Sequence, residues 1–565
     1  MERRVGKSYS EVRQPSNAML HRFLSSSLLL VLAFSIMQAG GATGKFYPDD
    51  PITREPETRD ASNAQPRDID LFWDLLYNLF ARPGDPSVDM PAQNVNTIDE
   101  VPDSSWFTNR ILAHSLSIEE AVQGPLTGTG PALGVWTIIR PKSSGFAPGF
   151  TMRDVRGDVW FVTFDAKGYP EAASGAILVA NKIFWALGYW QGENHLVSIR
   201  PENLQIDKDA TIRVFSGKVR PMRGSDLEDV LRRSERSPNG SYRAIASKSI
   251  PGKILGGFQY FGTRSDDPND IVAHEHRREL RALKVFGAWT NLTDMKAGNT
   301  LDTVIEENGK RVLRHYLQDV GSTFGVGALG PHDYDEGWEH LYDKTPMLKR
   351  LFTLGFYISP WQTANYEENR SIGRFESEAF DPEMWKPRVP TSAFLHARAD
   401  DNFWAARRVM AFSDEMIRAI VKTAQYSDPA AEKLLTETLI GRRNKIGQTY
   451  LPAVNPLADF ELESGTLRFV NVAVQARVAP YPAGGYTAQF AAFDNMTNQT
   501  RPIATAATRD GERIQVPAGL PDEDGAFVKI QVAALQPQHA SWSVPVDVYF
   551  RREAGKWKLV GLEKK

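Results

Sequence analysis

Two short stretches carry residue types that could work on an anionic group with the help of a metal ion. NLTDMKAGNT (291–300) holds Asp294, Lys296 two places on and Asn299 five places on. HYLQDVGSTFG (315–325) holds Asp319, separated from Gly321 by one valine. A positioned carboxylate can take the proton of an attacking hydroxyl. Carboxylate and amide oxygens are the hard donors that Mg²⁺ requires, and a lysine beside them can steady a transferred phosphate. The chemistry works only if Asn299 and Asp319 lie on facing elements.

The surrounding pattern predicts those elements. A helix is expected from about His274 to Thr290, with Leu280, Leu283, Phe286 and Trp289 on its inner face, and the first stretch follows it directly. LDTVIEE and RVLRHYLQD are strand-like and are joined at NGK (308–310), a strong hairpin signal that folds Asn299 toward Asp319. Upstream, GVWTIIR (from 134), DVWFVTFD (158–165), HLVSIR (195–200) and ATIRVFSG (210–217) read as strands. The loop PKSSGFAPGF (141–150) joins the first two, and SGAILVANKIFWALGY (174–189) puts Ile177, Ala180, Phe184 and Leu187 on one helical face. Residues 218–270 are mixed and polar, 346 to about 451 are mainly helical, and Asp414 and Asp428 mark helix starts. After VNPLADF (454–460) the chain alternates apolar and polar, with turns at PAGG, RDGE and EDGA, which predicts a small β-sandwich.

This order of elements resembles the protein-kinase-like fold over roughly 130–450. The resemblance implies an α+β, bilobal core with a β-rich N-lobe (134–217) and a helical C-lobe (218–453) that contains the catalytic-type loop 291–300. A small all-β, sandwich-like domain follows at 460–565. It also implies roles: Asp294 as the proton acceptor, Lys296 as the lysine that steadies the transferred phosphate, Asn299 and Asp319 as metal ligands, and Mg²⁺ and ATP as cofactors. The glycine-rich lid of that family corresponds to PKSSGFAPGF, with Lys142, Gly145 and Gly149 as nucleotide-binding residues, although the G-x-G-x-x-G spacing is absent. Kinases pair a strand lysine with a helix glutamate; here Thr163 and Ile177 stand at those positions. Lys142, Lys167 and Lys182 are the available substitutes. Two readings therefore stay open: an atypical phosphotransferase, or a degenerate member (a pseudokinase) acting as a scaffold or binding module. The central stretch is also similar to a group of exported, uncharacterised bacterial proteins through DDPNDIVAHEHRREL, NTLD and HYLQDVGST.

A third candidate is a metal-dependent hydrolase at Asp266, Asp267, Asp270, His274 and His276, against which stands a helix cap at Asn269 or Asp270. WQTANYEENRSIGRFE (361–376) reads as packing between helices, and no G-x-S-x-G element, triad-like grouping or Walker loop is present.

The whole chain sets the frame. Its 565 residues carry a net charge of −3 and no cysteine, which excludes a basic nucleic-acid footprint, disulfides and thiolate chemistry. Residues 1–42 read as a signal peptide, with the apolar run FLSSSLLLVLAFSIM (23–37) and cleavage after Gly41 or Ala42, or as an uncleaved anchor. Residues 43–70 read as a polar linker or extended arm, and 71–133 as an N-terminal extension with the helical patch LFWDLLYNLFA. An exported protein, periplasmic or secreted, is expected, with an envelope protein or a small molecule as partner and no membrane contact beyond the leader.

Overall fold

The computed structural model describes residues 44–564, except 88, 113–114, 143–146 and 214–217. The leader, its cleavage site and Gly145 lie outside the described residues. The architecture is mixed α+β.

Helix α1 (Leu71–Leu76) starts on Asp70, whose carboxylate accepts from the amides of Phe72 and Trp73. Strands β1 (Trp136–Pro141), β2 (Gly149–Arg153) and β3 (Val159–Phe164) form an antiparallel meander. Helix α2 (Ala172–Leu187), β4 (Asn194–Ile199) and β5 (Leu204–Ile206) follow, then β6 (Tyr242–Lys248). The sheet order is β4-β6-β3-β2-β1-β5, with β6 inserted between β3 and β4. The six-stranded sheet thus includes a strand past 217, Tyr242–Lys248. The strand was hidden because its buried face is built partly from Ala244 and Ala246, which carry little apolar signal.

The expected helix over 274–290 is broken. His274–His276 is a 3₁₀ turn, Arg277 is extended, Arg278–Arg281 is one helical turn, and α3 spans Leu283–Thr290. The predicted inner face holds nonetheless, with Leu280, Leu283, Phe286 and Trp289 all buried. The break follows from three buried guanidiniums: Arg277 reaches Glu55 and Glu279, Arg278 reaches Asp99, Asp400 and Asp401, and Arg281 reaches Asp401. Each must point a different way.

Strand β7 (Lys253–Gly256) pairs with β8 (Thr300–Glu307), which pairs with β9 (Lys310–Leu317). Asn308 and Gly309 form the two-residue hairpin loop with φ of 51° and 72°, the left-handed pair that a type I′ turn needs. Helices α4 (Lys344–Phe352), α5 (Ala399–Met410), α6 (Asp414–Lys422) and α7 (Pro429–Tyr450) come next. From Leu457, earlier than the expected 460, eight strands form a three-stranded and a five-stranded antiparallel sheet.

The β1–β6 sheet packs its own cluster around Trp136, Phe150 and Trp160, and a second cluster joins α2, α3, α5, α6, α7 and the C-terminal strands. It includes Trp106, Phe107 and Ile111, so the 71–133 segment is built into the molecule. Its polar residues reach inward too: Asn94 donates to Glu279 at 2.5 Å and Glu100 accepts from Arg408 at 2.8 Å. Residues 44–70 form an extended arm with buried anchors at Phe46, Ala61 and Ala64.

Candidate functional site

The loop after α3 is positioned by alternation. Leu292, Met295 and Ala297 are buried and pin it to the core, which leaves Asp294, Lys296 and Asn299 half-buried along the open side. At its start Asn291 takes a left-handed φ of 55° and its Oδ1 accepts from Trp385 Nε1 at 2.8 Å. The loop then closes on itself: Asn299 Nδ2 donates to the Asp294 carbonyl at 2.7 Å. Lys296 Nζ lies 2.9 Å from Asp294 Oδ2 and holds that carboxylate in place.

The hairpin does what its spacing predicts. It returns the chain beside the loop, where the Asp319 amide donates to the Asn299 carbonyl at 3.0 Å. Gly321 N donates to Asp319 Oδ1 at 3.0 Å, so the D-V-G turn is internally fixed. Asn299 Oδ1 and Asp319 Oδ2 make no hydrogen bond among the described residues. These are two unengaged hard oxygens on adjoining segments. No group of three or more His, Asp or Glu among the described residues could hold a metal ion. A cation here would take its remaining ligands from water and from the phosphates of a bound substrate, which is how Mg²⁺ is commonly held.

Residues of α2 and of the six-stranded sheet lie against the D-V-G turn. A methyl group added at Gly321 would lie 3.0 Å from Ile177 Cγ1 and 3.2 Å from Asp319 Oδ1. Ile177 of α2 therefore packs directly on the D-V-G turn, at the place where the resemblance puts a glutamate. Thr163, at the lysine position, lies with its Oγ1 3.5 Å from Lys142 Nζ. The surrounding protein lowers the pKa of the Lys142 ammonium, and the carboxylate of Asp319 works in the opposite direction. Of Lys142, Lys167 and Lys182, Lys142 is the one whose ammonium feels the Asp319 carboxylate. Lys182 is elsewhere, its Nζ held 2.5 Å from the Val122 carbonyl, and Lys167 is exposed beyond β3.

Gly149 also has a place in the sheet: a Cβ there would lie 2.2 Å from the Val162 carbonyl oxygen, so only glycine lets β2 and β3 approach. The histidine cluster is structural. His274 contacts Asp270 Oδ2 at 2.8 Å and the Gln259 carbonyl, while His276 contacts Asp85 Oδ2 at 3.0 Å and Arg281 Nη2 at 2.7 Å. All four ring nitrogens are engaged and both rings are buried, which leaves none for a metal. Burial raises the Asp270 pKa, but the hydrogen bond from His274 and the charge of Arg277 outweigh it and hold the carboxyl at about 2.

One grouping was missed. Ser322 Oγ lies 2.9 Å from His332 Nε2, and Glu336 Oε2 lies 3.7 Å from His332 Nδ1. Burial pulls the His332 pKa down against Glu336 and Asp294, so a neutral ring can accept the Ser322 hydroxyl. The arrangement fastens the end of the D-V-G turn. Its three residues lie within fifteen positions of one another (322–336), but no motif spacing announced them.

No protein-family model matches the chain, and no curated protein matches it. Among solved structures it is similar to the Golgi casein kinase with Mn/ADP bound, at 11% identity and a TM-score of 0.28, covering 71% of this chain and 93% of that one. A second structure of the Golgi casein kinase matches at 8% identity and a TM-score of 0.30, with the same coverage.

Proposed function

We propose that this chain is an atypical, exported phosphotransferase of kinase-like ancestry that binds a magnesium nucleotide between α2, β3 and the 291–300 loop. The observation that carries the reading is the placement of Lys142 beside Thr163 and in the field of Asp319 (Nζ to Oγ1, 3.5 Å). The clamp lysine missing from β3 is replaced from the end of β1. Losing the strand lysine and the helix glutamate together is coherent, because Ile177 leaves no buried charge unpaired against Gly321.

When bound, the magnesium nucleotide supplies the transferable phosphoryl group and part of the charge neutralisation that transfer requires. Asn299 Oδ1 and Asp319 Oδ2 would hold the cation, and Lys142 would bind phosphate oxygens. Asp294 orients an acceptor hydroxyl and takes its proton, with Lys296 fixing the carboxylate by their 2.9 Å ion pair. The apolar run at 23–37 supports export. The acceptor is then an envelope protein or a small molecule outside the cytoplasm.

A second reading, a nucleotide-free scaffold, is favoured by the apolar Ile177 wall. Calorimetric titration of the full chain with ATP, with and without Mg²⁺, separates the two. Magnesium-dependent binding that Asp319→Ala abolishes supports the phosphotransferase. No binding by the wild type sinks it, and binding untouched by Asp319→Ala sinks the site assignment.

A further inference from the structure

The largest feature that the proposed site does not use is an apolar face beside it. In α4, Met347, Leu348, Leu351 and Phe352 recur at helical spacing, yet this stripe is turned outward, with Leu351 66% and Phe352 80% exposed. Past the helix, Leu354, Phe356 and Ile358 are 87%, 86% and 66% exposed. The short helical segment at 71–81 adds Phe72, Trp73, Tyr77 and Phe80, all more than half exposed. Phe80 and Tyr342 are in ring contact with centroids 4.7 Å apart, so the two segments form one surface. That surface reaches the candidate site, since a Cβ on Gly298 would lie 3.1 Å from Leu71 Cδ1. Exposed apolar surface on this scale marks a docking face.

We propose that this face rests in the interfacial region of a phospholipid bilayer, with α4 and the 353–358 segment as the inserted edge. The charge pattern selects this occupant. Asp343 is neutralised by Lys386 at 2.5 Å and Glu339 by Arg350, whereas Lys344 and Lys349 form no ion pair among the described residues. An outward apolar stripe flanked by unpaired lysines, with tryptophan and tyrosine at its margin, matches anionic headgroups over acyl chains. A symmetric dimer through the same face would bring the apolar edges together with like-charged lysines nearby and no free carboxylate on α4 to meet them. No helix among the described residues is long and apolar enough to cross a membrane, so the contact is with one leaflet. This goes beyond the expectation that only the leader meets a membrane. It is independent of the nucleotide reading.

The test is co-sedimentation of the full chain with vesicles of phosphatidylcholine, alone or mixed with phosphatidylglycerol. Phe352→Asp/Phe356→Asp should lower partitioning about tenfold or more on both vesicles. Lys344→Glu/Lys349→Glu should lower it about tenfold on the anionic vesicles alone. All four positions are exposed, and unchanged thermal unfolding verifies the fold. Equal partitioning of the wild type and the phenylalanine variant overturns the proposal, because binding would then belong to the 23–37 run. So does a wild type that ignores vesicles, or one whose concentration-dependent dimer the phenylalanine variant abolishes.

Discussion

Replacing Lys142 by alanine gives the sharpest check of the relocated clamp. A hydrogen bond from an ammonium to a charged phosphate contributes about 1.5–3 kcal/mol. Lys142 is exposed over much of its length, so solvent screening puts the effect near the lower end of that range. At about 1.4 kcal/mol per tenfold, magnesium–ATP affinity should fall roughly tenfold. Titration calorimetry at two ionic strengths measures it, and the loss should shrink at high salt. Lys167→Ala, exposed beyond β3, should stay within about twofold of wild type, since surface lysines seldom contribute more. The pH dependence carries a second signature. The Lys142 pKa is lowered, so wild-type affinity should decline on the alkaline side, below the usual lysine range, as the ammonium deprotonates. The alanine variant should lose that decline. Unchanged affinity in Lys142→Ala, or an equal loss in Lys167→Ala, refutes the assignment.

Other outcomes follow from packing and charge. Gly321→Ala should destabilise by about 1 kcal/mol through the 3.0 Å approach to Ile177, and Ile177→Ala in the same chain should recover much of it; an additive double-mutant cycle contradicts the contact. Asp270 has a folded pKa of about 2 against an unfolded value near 4, so its stabilisation, on the order of 2 kcal/mol, is present above that unfolded value and is lost as pH falls toward 2. Urea unfolding of wild type and Asp270→Asn should therefore converge between about pH 4 and pH 2; a gap that stays constant speaks against the His274 contact. Arg278→Met leaves Asp99 and Asp401 facing a hydrocarbon and should cost about 3–5 kcal/mol in thermal or urea unfolding. A cost below about 1 kcal/mol would mean that the network is not coupled.

The parts of this molecule that could be read from the chain are those where one residue type has one use. Asn308-Gly309 specified its hairpin because few other pairs tolerate two successive left-handed residues. From that hairpin followed the approach of Asp319 to Asn299. The buried face of α3 was legible for the same reason, as large apolar residues recur at a single period. What escaped depends on pairing between distant segments. The break at Arg277 is imposed by Glu55, more than two hundred residues earlier. The insertion of β6 between β3 and β4 is a matter of sheet order, which alternation does not encode. Asp270 and His274 share a helical spacing that suits a metal equally well; Gln259, brought in by the fold, takes the other ring nitrogen of His274, as Asp85 and Arg281 take both of those of His276. The outward stripe of α4 has the period of a core helix, and periodicity says nothing about which way it faces.

The anchored arm bears on how the protein is made. Phe46 exchanges backbone hydrogen bonds with the Asn495 side chain across 449 positions, and Lys45 meets Glu563 across 518. The first described residues thus wait for nearly the last ones to be synthesised. Contacts of such separation are slow to close and leave a chain open while it waits. Until the final strands emerge, Phe46 has no Phe493, Tyr549 or Val560 to pack against. The start of the arm is the part that docks last: a chain cut short before residue 493 would leave Phe46 unfastened while Ala61 and Ala64 keep Leu255, Val304 and Leu313.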